Sequence, residues 1–345
     1  MRAAIAPFLI GLLTALATVA CSGHGASHLA APPPATTASP TTVDLPVLVP
    51  GSSLPAETTT SRGPSPSTTG AALSSVVGTT TLQVVDSTRP TVANGRTLSS
   101  SRHLPTLVRY PARAAGASPG SEVAAATPTG SWPLVVFAHG YNVTPATYSH
   151  LLHAWAAAGF VVAAPAFPLE TSGGPLDEND LNNEPRDISV VISAVLANST
   201  LSAHVQSAHI AVTGHSDGAE AALGAAFVSG DNRIGPVISM AAQGVDGMPR
   251  HDPRHPLLVV QGTQDTINPP SRSDAVYAAA GRPRFYLRLL GAGHLPPVAD
   301  NTPWRPIVEQ EGIDFLRRYL GGAVTVTVMS ADGNKSGLST LTADP

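Results

Sequence analysis

Residues 214–218 read Gly-His-Ser-Asp-Gly, which places Ser216 between two glycines. The apolar residues 209–213 before them predict a strand, and the alanine-rich residues 219–228 after them predict a helix. A serine on such a strand-to-helix turn exposes its hydroxyl as a nucleophile, and the glycines permit the sharp turn and close packing. Ser216 is therefore the candidate nucleophile, and an ordinary turn is the alternative.

A serine hydroxyl needs a base to take its proton and an acid to hold that base. With a nucleophile turn of this kind, the partners follow in the order acid, then histidine. Asp265 comes shortly after a predicted strand at residues 257–261, and His294 comes directly after another at residues 284–290. They are the candidate acid and base, although a loop aspartate and a surface histidine would look similar. Asp246 is the competing acid.

Catalysis by a serine also requires two backbone N–H groups that stabilise the oxyanion. The predicted donors are the amides of Asp217 and Tyr141, the latter in the loop after a strand at residues 134–138. The Tyr141 ring either lines an acyl pocket or packs against the next helix. His139 and His215 are expected to pack or form hydrogen bonds at their turns, and the Asp217 carboxylate is expected to have no catalytic role.

Apolar segments of strand length alternate with segments of helical periodicity from residue 134 to residue 319. This alternation predicts an α/β fold, with a mostly parallel, doubly wound sheet covered on both faces. Two β-rich segments, residues 81–86 and 106–110, are expected to add antiparallel strands at the N-terminal side. The short connection at residues 244–256 leaves no room for a large cap domain, so we expect an open site.

The composition excludes several classes of protein. Only 12% of the 345 residues are charged, the formal net charge is −4 and Lys335 is the only lysine, so no basic surface for nucleic acid is expected. One cysteine excludes an internal disulfide and a cysteine-based zinc site. No nucleotide-binding glycine pattern occurs, and we expect no cofactor. The acidic residues 177–187 are consistent with Ca²⁺ ligation, but a solvated loop that caps the next helix is favoured.

The N-terminal region predicts export. Residues 1–20 have the positive start, apolar stretch and small residues of a signal peptide, and residues 21–76, rich in Pro, Ser, Thr and Ala, are expected to form a disordered tether. Residues 18–21, Thr-Val-Ala-Cys, resemble a bacterial lipobox, which makes Cys21 a candidate for lipidation at a membrane surface outside the cytoplasm. A plain signal peptide with an incidental cysteine is the alternative. The catalytic domain is expected at residues 77–322, followed by a frayed tail at residues 323–345, in which 323–328 are a candidate edge strand.

These motifs together resemble a known family. The segments Pro-Leu-Val-Val-Phe-Ala-His-Gly-Tyr at 133–141 and Gly-Phe-Val-Val-Ala-Ala-Pro at 159–165, together with residues 214–218, Asp265 and His294, carry the likeness. They resemble α/β-hydrolases of the group that includes chlorophyllases, platelet-activating-factor acetylhydrolases, dienelactone hydrolases and cutinase-like polyester hydrolases. Dienelactone hydrolases use a cysteine nucleophile, so Ser216 argues against their chemistry.

The resemblance implies a serine hydrolase that acts on a lipid or other carboxylic ester without a cofactor, and the N-terminal residues add the expectation that it is secreted and lipid-anchored. An acyltransferase with the same residues is the first alternative, because sequence does not distinguish a water acceptor from an alcohol. A binding lipoprotein of the cell envelope that keeps the fold without the chemistry is the second.

Overall fold

The computed structural model describes residues 76–245 and 254–345. The predicted signal peptide, Cys21, nearly all of the tether and the competing acid Asp246 lie outside the described residues. No helix in the two described ranges is long and apolar enough to cross a membrane.

The strands and helices of the described residues are numbered in chain order. The strands are β1 (Val76–Asp86), β2 (Thr91–Ala93), β3 (Arg96–Ser99), β4 (Arg102–Arg113), β5 (Glu122–Ala124), β6 (Thr127–Pro128), β7 (Trp132–Ala138), β8 (Val161–Pro165), β9 (Val205–His215), β10 (Ile234–Met240), β11 (Leu257–Gly262), β12 (Arg284–Leu289) and β13 (Ser339–Asp344). The helices are α1 (Ser149–Ala157), α2 (Glu184–Ala197), α3 (Asp217–Leu223), α4 (Pro270–Ala279), α5 (Pro296–Ala299), α6 (Arg305–Tyr319) and α7 (Val326–Gly333), and a π-helical segment (Gly224–Val228) continues α3.

One large twisted sheet organises these elements. Its strand order is β13-β12-β11-β10-β9-β7-β8-β4-β1-β5, and β6 pairs with β4. The strands from β8 to β12 in this order are parallel. On one side β4 is antiparallel to both β8 and β1, and β5 is parallel to β1, whereas on the other side β13 is antiparallel to β12. The predicted mostly parallel sheet with antiparallel N-terminal strands is therefore confirmed.

Helices cover both faces of the sheet. Strands β7 and β8 consist almost entirely of apolar residues, and Leu134–Ala138 are completely buried, as expected for strands covered on both sides. One hydrophobic cluster packs α2 and α3 against the sheet, with Ile188 and Val191 among its members. The other packs α1 and α6 on the opposite face, with Trp155 and Phe315.

The parallel strands carry the candidate site residues to one edge of the sheet. Strands β7, β9, β10, β11 and β12 all end at the same edge, because parallel strands share a direction. His139 follows the end of β7, Ser216 the end of β9, Asp265 the end of β11 and His294 the end of β12. The connection from β10 to β11 spans residues 241–256, too short for a large cap domain.

The C-terminal segment differs from the prediction. Residues 323–345 are not a frayed tail, and the candidate edge strand at residues 323–328 is wrong. Thr325 caps α7 by accepting a hydrogen bond from the Val328 N–H, and Met329 on that helix is completely buried. The edge strand is β13, which pairs antiparallel with β12 along its whole length. The alternating Val-Thr pattern is compatible with a strand, but the cap and the burial of Met329 favour the helix.

The acidic residues 177–187 also differ from both interpretations of the sequence. Asp180 and Asp187 are buried, and they bind the guanidinium group of Arg102, which is itself completely buried. Arg102 donates two hydrogen bonds of 2.8 Å to Asp180, and its Nε donates to Asp187 at 2.9 Å. Arg89 forms a further ion pair with Asp187. Asp180 and Asp187 therefore neutralise the buried Arg102 and the partly buried Arg89 and are not part of a solvated loop.

We expect Arg102→Met to lower the free energy of unfolding by about 3–5 kcal/mol, because Asp180 and Asp187 would stay buried without their principal cation. Denaturant unfolding followed by circular dichroism measures the loss. Arg96→Met is the matched control, since Arg96 is exposed on β3 and its replacement should change stability by less than about 0.5 kcal/mol. Equal stabilities for the two variants would contradict the assignment.

Candidate active site

Ser216 occupies a strained turn between β9 and α3. Its backbone has φ 56° and ψ −127°, a conformation that costs a non-glycine residue energy and is concentrated at functional sites. The Ser216 N–H donates a 2.9 Å hydrogen bond to the Met240 carbonyl, and the Ser216 carbonyl accepts one of 2.8 Å from Ala219. The neighbouring strand and the first turn of the helix thus hold the strained conformation.

The two glycines of residues 214–218 are required by close packing. A Cβ on Gly218 would lie 2.2 Å from the Ala138 carbonyl oxygen, and a Cβ on Gly214 would lie 2.1 Å from the Gly218 carbonyl oxygen. Both separations are too short for any side chain. The predicted reason for the glycines, close approach of strand and helix, is confirmed.

Asp265 and His294 are in direct contact. His294 Nδ1 and Asp265 Oδ2 are 2.7 Å apart, and the Asp265 side chain is completely buried. The other Asp265 oxygen accepts hydrogen bonds of 2.9 Å from the N–H groups of Ile267 and Asn268, while Gln261 donates to Oδ2 at 3.1 Å. Because the carboxylate accepts the Nδ1 proton, Nε2 of His294 is the ring nitrogen left free to act as a base.

The structure brings His294 beside the Ser216 turn without joining the two side chains. The rings of His294 and His215 have centroids 4.6 Å apart, and His215 directly precedes Ser216. No hydrogen bond between Ser216 Oγ and His294 Nε2 is present among the described residues. Such bonds often tighten only when substrate binds. The Asp265–His294 pair is thus formed in the absence of substrate.

The predicted oxyanion donors lie next to the serine. A Cβ on Gly140 would be 3.0 Å from the Ser216 Cβ, which shows how closely the loop after β7 approaches the nucleophile. The backbone N–H groups of Tyr141 and Asp217 form no hydrogen bond to another residue in the described part of the chain. Backbone amides placed beside a nucleophile are suited to a developing oxyanion. The Tyr141 side chain is partly exposed.

The two histidines at the turns have the roles expected of them. His139 Nε2 accepts a hydrogen bond of 3.1 Å from the Phe167 N–H, and burial lowers the pKa of His139 to about 4. His215 contacts Tyr148 Oη and the His294 carbonyl at 3.0 Å and 3.1 Å. The sequence did not indicate that Tyr148 contacts His215, because a tyrosine in a predicted helix is typically a core residue.

Two further carboxyl groups, those of Glu170 and Glu184, were also missed. Both side chains are completely buried, and neither accepts a hydrogen bond from a third residue among those described, so the two carboxyl groups interact with each other. Burial and the nearby Asp217 raise the pKa of Glu170 to about 8, and burial and Glu170 raise the pKa of Glu184. At neutral pH the pair therefore retains at least one proton. The Glu170 carbonyl also accepts a 2.7 Å hydrogen bond from Asn142, next to the candidate oxyanion donor.

Comparisons with known proteins agree with this geometry. Residues 104–268, which include Ser216 and Asp265 but not His294, match the family model described as chlorophyllase. A solved ferulic acid esterase from Streptomyces cinnamoneus shares the fold with a TM-score of 0.61 at 18% identity, over 73% of this chain and 92% of that one. The chain has the α/β-hydrolase fold, and residues 104–268 match a family of that fold. The predicted family and fold are therefore confirmed. No curated protein sequence matches this α/β-hydrolase.

We expect the wild type to lose stability as the pH rises from 5 to 8, and we expect Glu170→Gln to remove part of that loss. The folded chain keeps a proton on Glu170 up to about pH 8, whereas an unfolded glutamate loses it near 4.5. The contribution of this group is therefore complete below pH 4.5 and declines as the pH rises towards 8. An amide donates to Glu184 without titrating. Between pH 5 and pH 8 the thermal midpoint of the wild type should fall relative to that of the variant.

Glu178→Gln is the control for this measurement, because Glu178 is exposed in the same region of the chain. It should shift the thermal midpoint equally at both pH values. If the thermal midpoint of Glu170→Gln changes between pH 5 and pH 8 by as much as that of the wild type, Glu170 does not hold the proton.

Proposed function

We propose that this α/β-hydrolase is a serine carboxylic-ester hydrolase that uses Ser216, His294 and Asp265 as its catalytic triad. The observation that carries the proposal is the 2.7 Å contact between His294 and Asp265 at the sheet edge where Ser216 adopts its strained turn. A histidine oriented by a buried carboxylate has its second nitrogen available as a base beside a serine nucleophile. The chlorophyllase match and the ferulic acid esterase fold support ester bonds as the target.

The reaction follows from this arrangement in two halves. Ser216 Oγ attacks the acyl carbon as its proton passes to His294 Nε2, and the carbonyl oxygen becomes an oxyanion held by the Tyr141 and Asp217 N–H groups. The intermediate expels the alcohol, which leaves with the proton from His294. Water then attacks the acyl-serine, again giving a proton to His294, and the carboxylic acid departs as Ser216 regains its proton. Asp265 stabilises the imidazolium in both halves.

The open edge of the sheet suits bulky esters, since the short connection between β10 and β11 adds no large cap domain over Ser216. The acyl chain and alcohol are best defined by a panel of p-nitrophenyl esters of rising chain length, a ferulate ester, a triglyceride and a polyester. The same panel with an added alcohol acceptor distinguishes hydrolysis from acyl transfer, because only a transferase forms the new ester in excess of free acid.

Export and anchoring belong to the same proposal. The apolar residues 1–20 and the lipobox-like residues 18–21 support cleavage before Cys21 and attachment of lipid to it. We expect the chain expressed in a bacterium to incorporate radiolabelled palmitate and to sediment with membranes, and Cys21→Ser to lose both properties. Labelling that persists in Cys21→Ser would contradict Cys21 as the lipidated residue.

We expect Ser216→Ala to lower kcat/KM for p-nitrophenyl acetate by at least about 10⁴-fold and to abolish labelling by a fluorophosphonate probe. The matched control is Ser239→Ala. Ser239 lies on β10, next to β9, and its buried hydroxyl has no hydrogen-bond partner among the described residues. It should keep wild-type labelling. A wild-type protein that hydrolyses no ester and takes up no probe would refute the proposed function and favour a binding role.

A further inference from the structure

A chain of hydrogen bonds runs behind the candidate nucleophile. The Gly140 N–H donates to Tyr148 Oη at 3.3 Å, and Tyr148 Oη lies 3.0 Å from His215 Nδ1. On the other side of the ring, His215 Nε2 lies 3.1 Å from the backbone carbonyl oxygen of His294. The chain thus connects the loop of the candidate oxyanion donor, the residue before Ser216 and the backbone of the candidate base.

Simple hydrogen-bond chemistry sets the direction of every link. A carbonyl oxygen only accepts, so His215 Nε2 must carry the proton that it donates to His294. In a neutral imidazole, Nδ1 is then an acceptor, which requires the Tyr148 hydroxyl to donate to it. The Tyr148 oxygen is left to accept the Gly140 N–H. One protonation pattern therefore satisfies all three contacts, with His215 in its Nε2–H form.

Burial keeps this pattern unchanged over the range in which an esterase works. The Tyr148 and His215 side chains are 1% and 2% exposed. Burial and the neighbouring His294 lower the pKa of His215 to about 3, while burial raises the pKa of Tyr148. Neither ring therefore gains or loses a proton between pH 5 and pH 9. The ring contacts of Tyr148 with Phe137, at 4.7 Å, and of His215 with His294 restrict movement further.

We propose that Tyr148 and His215 form a positioning relay that sets the distance between the oxyanion loop, the Ser216 turn and the backbone of His294. The inference rests on the proposed function and adds two residues that touch neither substrate nor the reacting atoms. Asp265 orients the His294 ring through Nδ1, whereas the relay holds the His294 main chain from the opposite side. A small displacement of the base relative to the nucleophile slows the chemical step without weakening binding of the ester.

Three variants and one matched control test the relay. Tyr148→Phe removes the hydroxyl and keeps the ring, and His215→Phe removes both ring nitrogens. His215→Gln retains an amide N–H for the His294 carbonyl and an oxygen for Tyr148. The control is Tyr110→Phe. Tyr110 is another buried tyrosine, lies on β4, and donates a hydrogen bond of 3.0 Å from its hydroxyl to the Ala126 carbonyl.

We expect kcat for a p-nitrophenyl ester to fall by about 10- to 100-fold in Tyr148→Phe and His215→Phe, with KM changed by less than about 2-fold. His215→Gln should recover part of that loss, and Tyr110→Phe should retain wild-type kcat. The acid limb of kcat/KM against pH should keep its midpoint in His215→Phe, because His215 does not titrate there. Circular dichroism of each variant excludes loss of the fold as the cause.

Two results would overturn the relay. The first is that the Tyr148→Phe and His215→Phe variants both fold and both keep wild-type kcat. The second is that His215→Phe is as inactive as Ser216→Ala, which would make His215 itself the base. A ¹⁵N spectrum of the His215 ring gives a readout that does not depend on ester hydrolysis. It should show the neutral Nε2–H form from pH 5 to pH 8 in the wild type and in Ser216→Ala.

These readouts separate the two proposals. A wild type without esterase activity, but with the expected His215 form, refutes the proposed function and leaves the hydrogen-bond chain intact. A wild type with esterase activity whose His215 ring is protonated near pH 6 refutes the relay alone.

Discussion

The carbonyl oxygens of Ala138 and Gly218 leave no space for a side chain where β7, β9 and the first turn of α3 meet. Only glycines at residues 214 and 218 allow the strand and the helix to approach so closely. This contact forces the chain to reverse at Ser216, which adopts φ 56° and points its backbone N–H at Met240. Packing in the sheet offsets the conformational free energy of the strained turn. Ser216 therefore lies at the edge of the sheet where β11 and β12 also end.

Charge is distributed unevenly around that edge. On the side of residues 177–187, the buried Arg102 and two buried aspartates neutralise one another, and removal of either sign would leave an uncompensated charge in the interior. Nearer to Ser216, burial acts on groups that form no ion pair among the described residues: it keeps His139 and His215 neutral and keeps a proton on Glu170 or Glu184. Among these groups, Asp265 and His294 are the pair in which a buried carboxylate orients an imidazole, and in the proposed mechanism that imidazole takes the proton of Ser216. The neutral histidines supply directional hydrogen bonds without competing for that proton.

Several elements show how far sequence reasoning reaches. The strands β7, β8 and β11 are continuous apolar runs, so their burial and their place in a parallel sheet could be predicted from residue types alone. The segment at residues 323–328 has the alternation of a strand but forms part of a helix, because Met329 is buried and Thr325 caps the turn. Residues 177–187 have the composition of a solvated loop, yet Asp180 and Asp187 are buried. They bind Arg102, which lies on β4, 78 and 85 residues away in the chain.

Local order along the chain determined the candidates for chemistry: a serine between glycines after an apolar strand, then an aspartate and a histidine that each follow a strand of their own. Those signals are short and contiguous, and the parallel sheet brings their positions together whatever the loops contain. Only the tertiary structure decided that Tyr148 bonds to His215 and His215 to the main chain of His294, partners separated by 67 and 79 residues. Such contacts depend on how helices and loops pack against the sheet edge, and no local pattern encodes that packing.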